Sequence, residues 1–279
     1  MTGFIFDKSC QKPRPNDNRQ NKVDVEANKK LRLQNVTLAA LACTYVYETV
    51  QAIKYSMKNI EFGDAVLVSH KKPFYLPKNI RYEYTPQNKS MNDFNYKMIY
   101  EMHKYINTDF MLLAHYDGFV INPDMWRSEF LDYDYIGAPW PKNNSLKDAT
   151  GNICRVGNSV SIRSKRLMEL PSKLNIPFVP AYKELYNEDL FICVKNKHIF
   201  ESAGMKFAPL DVAKYFAHEA SIDEIKGIRP FAFHGYFGNN FKNKRFGRLR
   251  LKYYLTYLPL YIIKRLKKRM KSVGAKNVR

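Results

Sequence analysis

Apolar and polar positions follow two periods along this chain. The run NVTLAALACTY, residues 35–45, is apolar enough and short enough to predict a buried strand. In YVYETVQAIKYSMKNI, Val46, Val50, Ile53, Met57 and Ile60 recur at helical spacing and predict one buried helix face. DAVLVS, residues 64–69, predicts a second strand. After a Pro- and Tyr-containing loop, Ser90 with Asp93 forms a capping-box pattern, and Phe94, Met98, Met102 and Ile106 mark another helix face. MLLAHYDGFVINP then supplies a third buried strand at about 109–115. This strand–helix alternation predicts an α/β fold with a mostly parallel central sheet and helices on both faces.

The second half is less regular. DYDYIGAPWP predicts a short strand ending in a Pro-bounded turn, and KNNSLKDATGN a mobile polar loop. VGNSVSIRSKRLMELP predicts a strand running into a short helix. NEDLFICVKNKHIFESAG predicts one helix with acids at its start and Gly204 near its end. RPFAFHGYFG predicts a last short strand ending at His234.

Charge divides the chain further. Of a net charge of +20, the segment 241–279 supplies 14 Lys and Arg with no Asp or Glu. The expected organisation is therefore a polar flexible segment 1–30, a catalytic domain 31–240 and a basic tail 241–279. In the tail, Leu251, Leu255, Leu258, Ile262, Leu266 and Met270 keep near-helical spacing, with cations such as Arg265, Lys267, Lys268 and Arg269 between them. Its longest apolar stretch is too short to cross a bilayer but suits an anionic membrane interface, the alternative being a terminal helix packed on its own domain. No secretory signal or membrane span is expected, and cysteines at 10, 43, 154 and 193 read as reduced thiols, so the expected place is the cytosolic face of the membrane.

The strand ends carry the candidate chemistry. In open parallel sheets ligands bind beyond the carboxyl ends of the strands. His115 and Asp117 fall there, and on extended chain residues i and i+2 point the same way. They are candidate ligands for Mn²⁺ or Mg²⁺, with diphosphate oxygens completing the shell and Gly118 easing the turn. The plainer reading is a turn cap beside a hydrogen-bonded histidine. Glu188–Asp189 are helix caps or, alternatively, a general base with an acceptor-orienting neighbour. His234 is a satisfied core group unless it faces His115 and Asp117. VGNSVSI is a tight turn or a floor for a sugar ring.

Taken in order, LLAHYDGFVINP, YDYIGAPWP, VGNSVSIRSKRLMEL, NEDLFIC, KFAPLDVAKYFAHE and PFAFHGY resemble GT-A type glycosyltransferases. More closely, they resemble a family of bacterial proteins assigned as glycosyltransferases and long labelled a domain of unknown function. The resemblance implies a GT-A-like, Rossmann-type half binding a nucleotide diphosphate-sugar and a more variable acceptor half. His115 and Asp117 occupy the D-x-D position, with histidine replacing the first acid. Ser159 and Val160 replace two glycines of a G-N-G-G run. Thr44, Arg155, Gly157, Asn158, Ser159 and Gly118 join them as donor-binding candidates, and His234 as a late metal ligand. The NEDLF match implies Asp189 as base and Glu188 as acceptor ligand in a single, inverting displacement. Arg155 or Arg163 would neutralise the leaving diphosphate if no metal does. The loop 141–155 beside Trp140 would be a lid.

The resemblance implies a donor such as a UDP-sugar and a glycan or lipid-linked glycan acceptor. Two other readings compete. One is a nucleic-acid binder working through the Tyr- and Lys-rich tail, against which stand the confinement of the charge to one end and the absence of a nucleic-acid-binding signature. The other is a catalytically inactive sugar-nucleotide-binding protein of the same fold. No nucleic-acid partner is expected.

Overall fold

A computed structural model describes residues 30–143, 145–179 and 187–235. Nearly all of the expected N-terminal segment and the whole basic tail, with Arg265, Lys267, Lys268 and Arg269, lie outside the described residues.

The opening alternation becomes β1 (Leu31–Leu41), α1 (Val46–Ser56), β2 (Ile60–Ser69), β3 (Arg81–Tyr84), α2 (Met91–Tyr100) and β4 (Phe110–Leu113). These four strands lie in the order β3-β2-β1-β4, all parallel neighbours. Period-two alternation explains how the sheet is covered on both sides. Leu38, Ala40, Ala65, Leu67 and Leu112 join Val50 and Ile53 of α1 in one core. Their alternates Ala39, Leu41, Val66, Val68, Met111 and Leu113 pack with Met98 of α2 in another. Helices on both faces of a largely parallel sheet are thus what the apolar pattern produces.

Two boundaries differ from the sequence reading. β1 begins at Leu31, before the apolar run, because a bulge between Leu33 and Thr37 lets its polar start pair with β2. Ile60, expected on the helix face, opens β2 instead. The ladder takes it: Leu31 pairs with Ile60, and the Leu31 amide donates to the Asn59 carbonyl at 3.0 Å. The capping box of α2 forms as expected, with the Ser90 side chain accepting from the Asp93 amide and the Asp93 carboxylate accepting from the Ser90 amide.

The later chain adds β5 (Gly118–Val120), β6 (Tyr135–Pro139), β7 (Val156–Ser164), α3 (Lys165–Lys173), α4 (Glu188–Leu190), α5 (Lys197–Ser202), α6 (Leu210–Phe216), β8 (Ala217–His218) and β9 (Ala232–His234). β7 extends the sheet antiparallel to β4, and β6 closes it antiparallel to β7. The helix expected over 187–204 is interrupted. After α4 the chain winds through a π-helical turn, Phe191–Lys195, before Asn196 breaks the path to α5. The Asn196 amide donates to the Phe191 carbonyl at 3.1 Å, the five-residue step of a π turn, and its side-chain amide donates to the same oxygen.

A small second sheet, β5-β9-β8, stands beside the first. Its pairing sets the site: β5 runs antiparallel to β9 with Gly118 opposite His234. Residues more than a hundred positions apart are thereby fixed side by side. No helix among the described residues is long and apolar enough to cross a membrane.

Candidate functional site

A cleft of about 490 Å³ opens beyond the carboxyl ends of β1 and β4. Its walls are the turn after β1 (Leu41 to Thr44), the start of α2 with Asn88 and Lys89 before it, the His115–Asp117 turn, and Ser159, Asn187, Glu188 and His234. Six of the sequence candidates, Thr44, His115, Asp117, Ser159, Glu188 and His234, meet here from five separate places in the chain, His115 and Asp117 sharing one turn.

β4 ends at Leu113, and His115–Gly118 close a two-residue turn. The His115 amide donates to the Gly118 carbonyl at 2.7 Å, and the Gly118 amide returns a bond of 3.2 Å. His115 and Asp117 are therefore not two steps along an extended strand, and the i, i+2 argument for their convergence does not hold. They are brought together by His234. The His115 ring centroid lies 5.5 Å from that of His234, and His234 Nε2 lies 3.7 Å from Asp117 Oδ1. Gly118 does not carry a positive φ. A Cβ there would sit 2.6 Å from His234 Cδ2 and 2.4 Å from Val160 Cγ2, so its role is close approach rather than a sharp turn.

The electrostatics of this group diverge. Burial, with His234 and Arg163 adding to it, pushes the His115 imidazole well below its usual range, and its Nε2 is shut from solvent with no hydrogen-bond partner. Burial raises the Asp117 carboxyl. Burial alone would lower His234, but Glu219, 3.1 Å from Nδ1, and Asp117 outweigh it and raise the imidazole. Asp117, His115 and His234 are candidate ligands for a divalent cation, with a partnerless ring nitrogen among them. Asp117 and His115 each lie near His234 without the three forming a closed cage: among the described residues no three His, Cys, Asp or Glu side chains make a ligand cluster.

On the facing wall, Glu188 is fully buried with both oxygens engaged. Ser159 Oγ donates to Oε1 at 2.5 Å, and Arg163 Nη2 to Oε2 at 3.1 Å. Arg163 is itself fully buried and lies over the Tyr135 ring at 5.3 Å. The Glu188 amide donates to Asn95 Oδ1 at 3.3 Å. Asp189 is not among the lining residues. Burial, then the neighbouring Glu188 charge, lifts its carboxyl to about 7.

Other candidates are placed elsewhere. Arg155 lies away from the cleft, donating from Nη2 to Glu224 at 2.6 Å and from Nε to the Trp140 carbonyl at 3.0 Å. Gly157 is the seat of the Trp140 indole, whose ring atoms stand 2.0 Å from where a Cβ would be. Asn158 is buried with φ +94°, its Oδ1 accepting from the Val160 amide and its carbonyl from the Tyr135 hydroxyl. It shapes the β6–β7 irregularity rather than facing ligand. No described residue of the loop 141–155 lines the cleft. Cys43 and Cys193 remain thiols, Cys43 on the cleft wall and Cys193 buried.

Sequence reasoning missed Glu219 and Asn95. Glu219 closes one of the resembling stretches, but nothing local marks it; only β8–β9 pairing brings it to His234.

A family model described as Protein of unknown function (DUF5672) matches residues 77–234, more than half of the chain. The chain belongs to this family. Every cleft element from α2 to His234 falls inside the DUF5672 match, whereas β1, β2 and the turn carrying Thr44 precede it. No curated protein matches the sequence. Solved structures show distant likeness to this DUF5672 chain. One is a glycosyltransferase involved in the glycosylation of the major capsid of PBCV-1, 11% identical over 77% of this chain and 98% of that one, with TM-score 0.46. Another is the apo-form glycosyltransferase GlyE of Streptococcus pneumoniae TIGR4, 12% identical over 86% and 64%, with TM-score 0.39. A third is S. aureus TarS 1–349, 14% identical over 56% and 53%, with TM-score 0.36. Likeness of this degree says nothing about substrate.

Proposed function

We propose that this DUF5672 chain is a glycosyltransferase that moves a sugar from a nucleotide diphosphate-sugar, a UDP-sugar first among them, to a hydroxyl of a glycan or lipid-linked glycan. The observation that carries the reading is the convergence of Asp117, His115 and His234 with Ser159 and Glu188 around one cleft at the strand ends, with a carboxyl titrating at about 7 next to Glu188. The volume suits a nucleotide-sugar, within the usual range of roughly 300–1,000 Å³ for small-molecule sites.

In this reading Asp189, the chain neighbour of the cleft-lining Glu188 though not itself on the cleft wall, takes the proton from the acceptor hydroxyl once the acceptor is bound. The oxygen attacks the anomeric carbon, the bond from that carbon to the phosphate oxygen breaks, and its electron pair leaves on the diphosphate. A base is most effective when its pKa lies near the working pH, which is where burial and Glu188 put Asp189. Glu188 holds a fixed negative charge beside it, anchored by Ser159 and Arg163. Asp117 and His234 would hold Mn²⁺ or Mg²⁺ together with diphosphate oxygens. Such an ion supplies charge neutralisation on the leaving group. Lys89, exposed on the cleft rim, offers the diphosphate a further cation. The basic tail would hold the enzyme to an anionic membrane surface where a lipid-linked acceptor resides.

A thermal-shift screen of nucleotide-sugars, with and without Mn²⁺, tests the reading. Stabilisation by a nucleotide-sugar, followed by release of nucleoside diphosphate in the presence of an acceptor glycan, is the expected result. Stabilisation with no turnover under any acceptor would leave a sugar-nucleotide-binding protein instead. No stabilisation by any nucleotide-sugar would remove the proposal.

A further inference from the structure

The segment between β2 and β3 has a surface that neither the fold nor the cleft requires. From residue 70 to residue 80 it carries Lys71, Lys72 and Lys78 and no carboxylate, while the Arg81 that follows is taken up by Asp64 at 2.8 Å and Glu83 at 2.5 Å. Lys71, Lys72, Phe74, Tyr75 and Lys78 are all exposed, with Phe74 at 39% and Tyr75 at 48%. Two neighbouring exposed rings are flanked by these cations. They are what a lipid interface takes up: rings enter the headgroup region while lysines meet anionic phosphates.

The segment is also held in place. Pro73 and Ile80 are buried. At its base the Lys71 amide donates to Ser69 Oγ at 3.3 Å, and the Tyr82 hydroxyl donates to the Ser69 carbonyl at 3.0 Å. Lys54 stands over the Tyr75 ring at 5.6 Å and Lys72 over the Tyr82 ring at 5.7 Å. The rings are therefore presented on a fixed platform with cations attached to them.

Its position links it to the cleft. It follows the carboxyl end of β2, the same sheet edge at which the turns after β1 and β4 wall the cleft. Lys71 and Pro73 share a hollow of about 260 Å³ with Tyr45 and Glu48, whose carboxylate is the acid of that hollow. Tyr45, half exposed, stacks on Tyr116 of the cleft wall with centroids 4.4 Å apart.

We propose that residues 70–80, with Tyr45, form a second contact with an anionic lipid bilayer, which turns the mouth of the cleft toward the membrane. This deepens the membrane-facing part of the proposed function and is independent of the sugar chemistry. The occupant is a bilayer rather than a protein because the surface pairs exposed cations with exposed rings, and because residues 241–279 carry 14 further cations.

Sedimentation of the full chain with phosphatidylcholine vesicles, with and without phosphatidylglycerol, tests it alongside hydrogen exchange of peptides covering 70–80. Two full-length variants separate the contacts: Lys71→Ser/Lys72→Ser/Phe74→Ser/Tyr75→Ser in the loop, and Arg265→Ser/Lys267→Ser/Lys268→Ser/Arg269→Ser in the tail. The expected result is binding that needs phosphatidylglycerol, protection of 70–80 on the vesicle, and at least about tenfold weaker partition for the loop variant with the tail intact. Binding without protection of 70–80, or with the loop variant unimpaired, overturns the loop contact and leaves the tail alone as the anchor. Protection of 70–80 by oligouridine but not by vesicles would reassign the surface to nucleic acid. The exchange measurement on the unaltered chain stands even if the loop variant folds poorly.

Discussion

The two walls of the cleft treat acidic groups in opposite ways. On the Glu188 wall, one carboxylate is fully buried and each oxygen has a close donor, one of them a fully buried arginine. On the Asp117 wall, Asp117 and Glu219 flank His234 at 3.7 and 3.1 Å, and all three remain partly exposed. A fully buried pair is a fixed element, because moving either partner strands a charge in a low-dielectric interior. A looser cluster at the edge of water can gain and lose protons or ligands at little cost. Asp189 lies between these regimes: it adjoins the locked Glu188, and that neighbour helps to keep its own carboxyl near neutrality.

The largest effect is expected at Asp189. With a donor established by thermal shift, Asp189→Asn should lower the transfer rate by about 10²–10⁴-fold, the usual worth of a general base, with little change in Tm. An Asn variant that keeps full activity would detach Asp189 from the chemistry. Next comes the locked wall. Glu188→Gln leaves Arg163 buried against a neutral amide and should cost about 3–5 kcal/mol in urea unfolding. A loss below about 1 kcal/mol would show that the pair is not the fixed element described here.

Third, transfer should rise with pH through about 7 as Asp189 ionises, and the rise should vanish in Asp189→Asn. Stability runs the other way. The folded carboxyl titrates above its unfolded range, so its stabilising contribution is complete below that range and is lost as pH rises toward and through about 7. Fourth, Gly118→Ala should destabilise by about 1–3 kcal/mol, because a Cβ would meet His234 and Val160. The smallest effect is a titration shift: Glu219→Gln should lower the His234 pKa, followed by NMR of the ring protons. An unmoved His234 would mean that Asp117 alone sustains its charge.

Much of the parallel half was legible in the primary structure. The apolar run of β1, the face of α1 and the capping box of α2 are local patterns, and local hydrogen bonding with period-two burial realises them. The pattern failed where pairing competed with it, as at Ile60, which the β1 ladder claimed. It failed again at Asn196, where a π turn replaced regular helix. Of the site, residue types at strand ends were readable, since sheet topology dictates where ligands bind. The roles of Gly118, Gly157 and Arg155 were not, because each depends on a tertiary neighbour: His234, Trp140 and Glu224 respectively.

The amino-acid order alone thus specified an alternating α/β chain, a basic end and a short set of acids and histidines at strand ends, since hydrophobic period and charge are properties of neighbouring residues. Only the folded chain decided which of those groups share a cleft. The β5–β9 pairing carries His234 to Asp117, the β8–β9 pairing carries Glu219 to His234, and burial sets Glu188 as an ion-pair anchor and Asp189 as a carboxyl titrating at about 7. Proximity across a hundred residues and the local dielectric come from packing, and no stretch of sequence encodes either by itself.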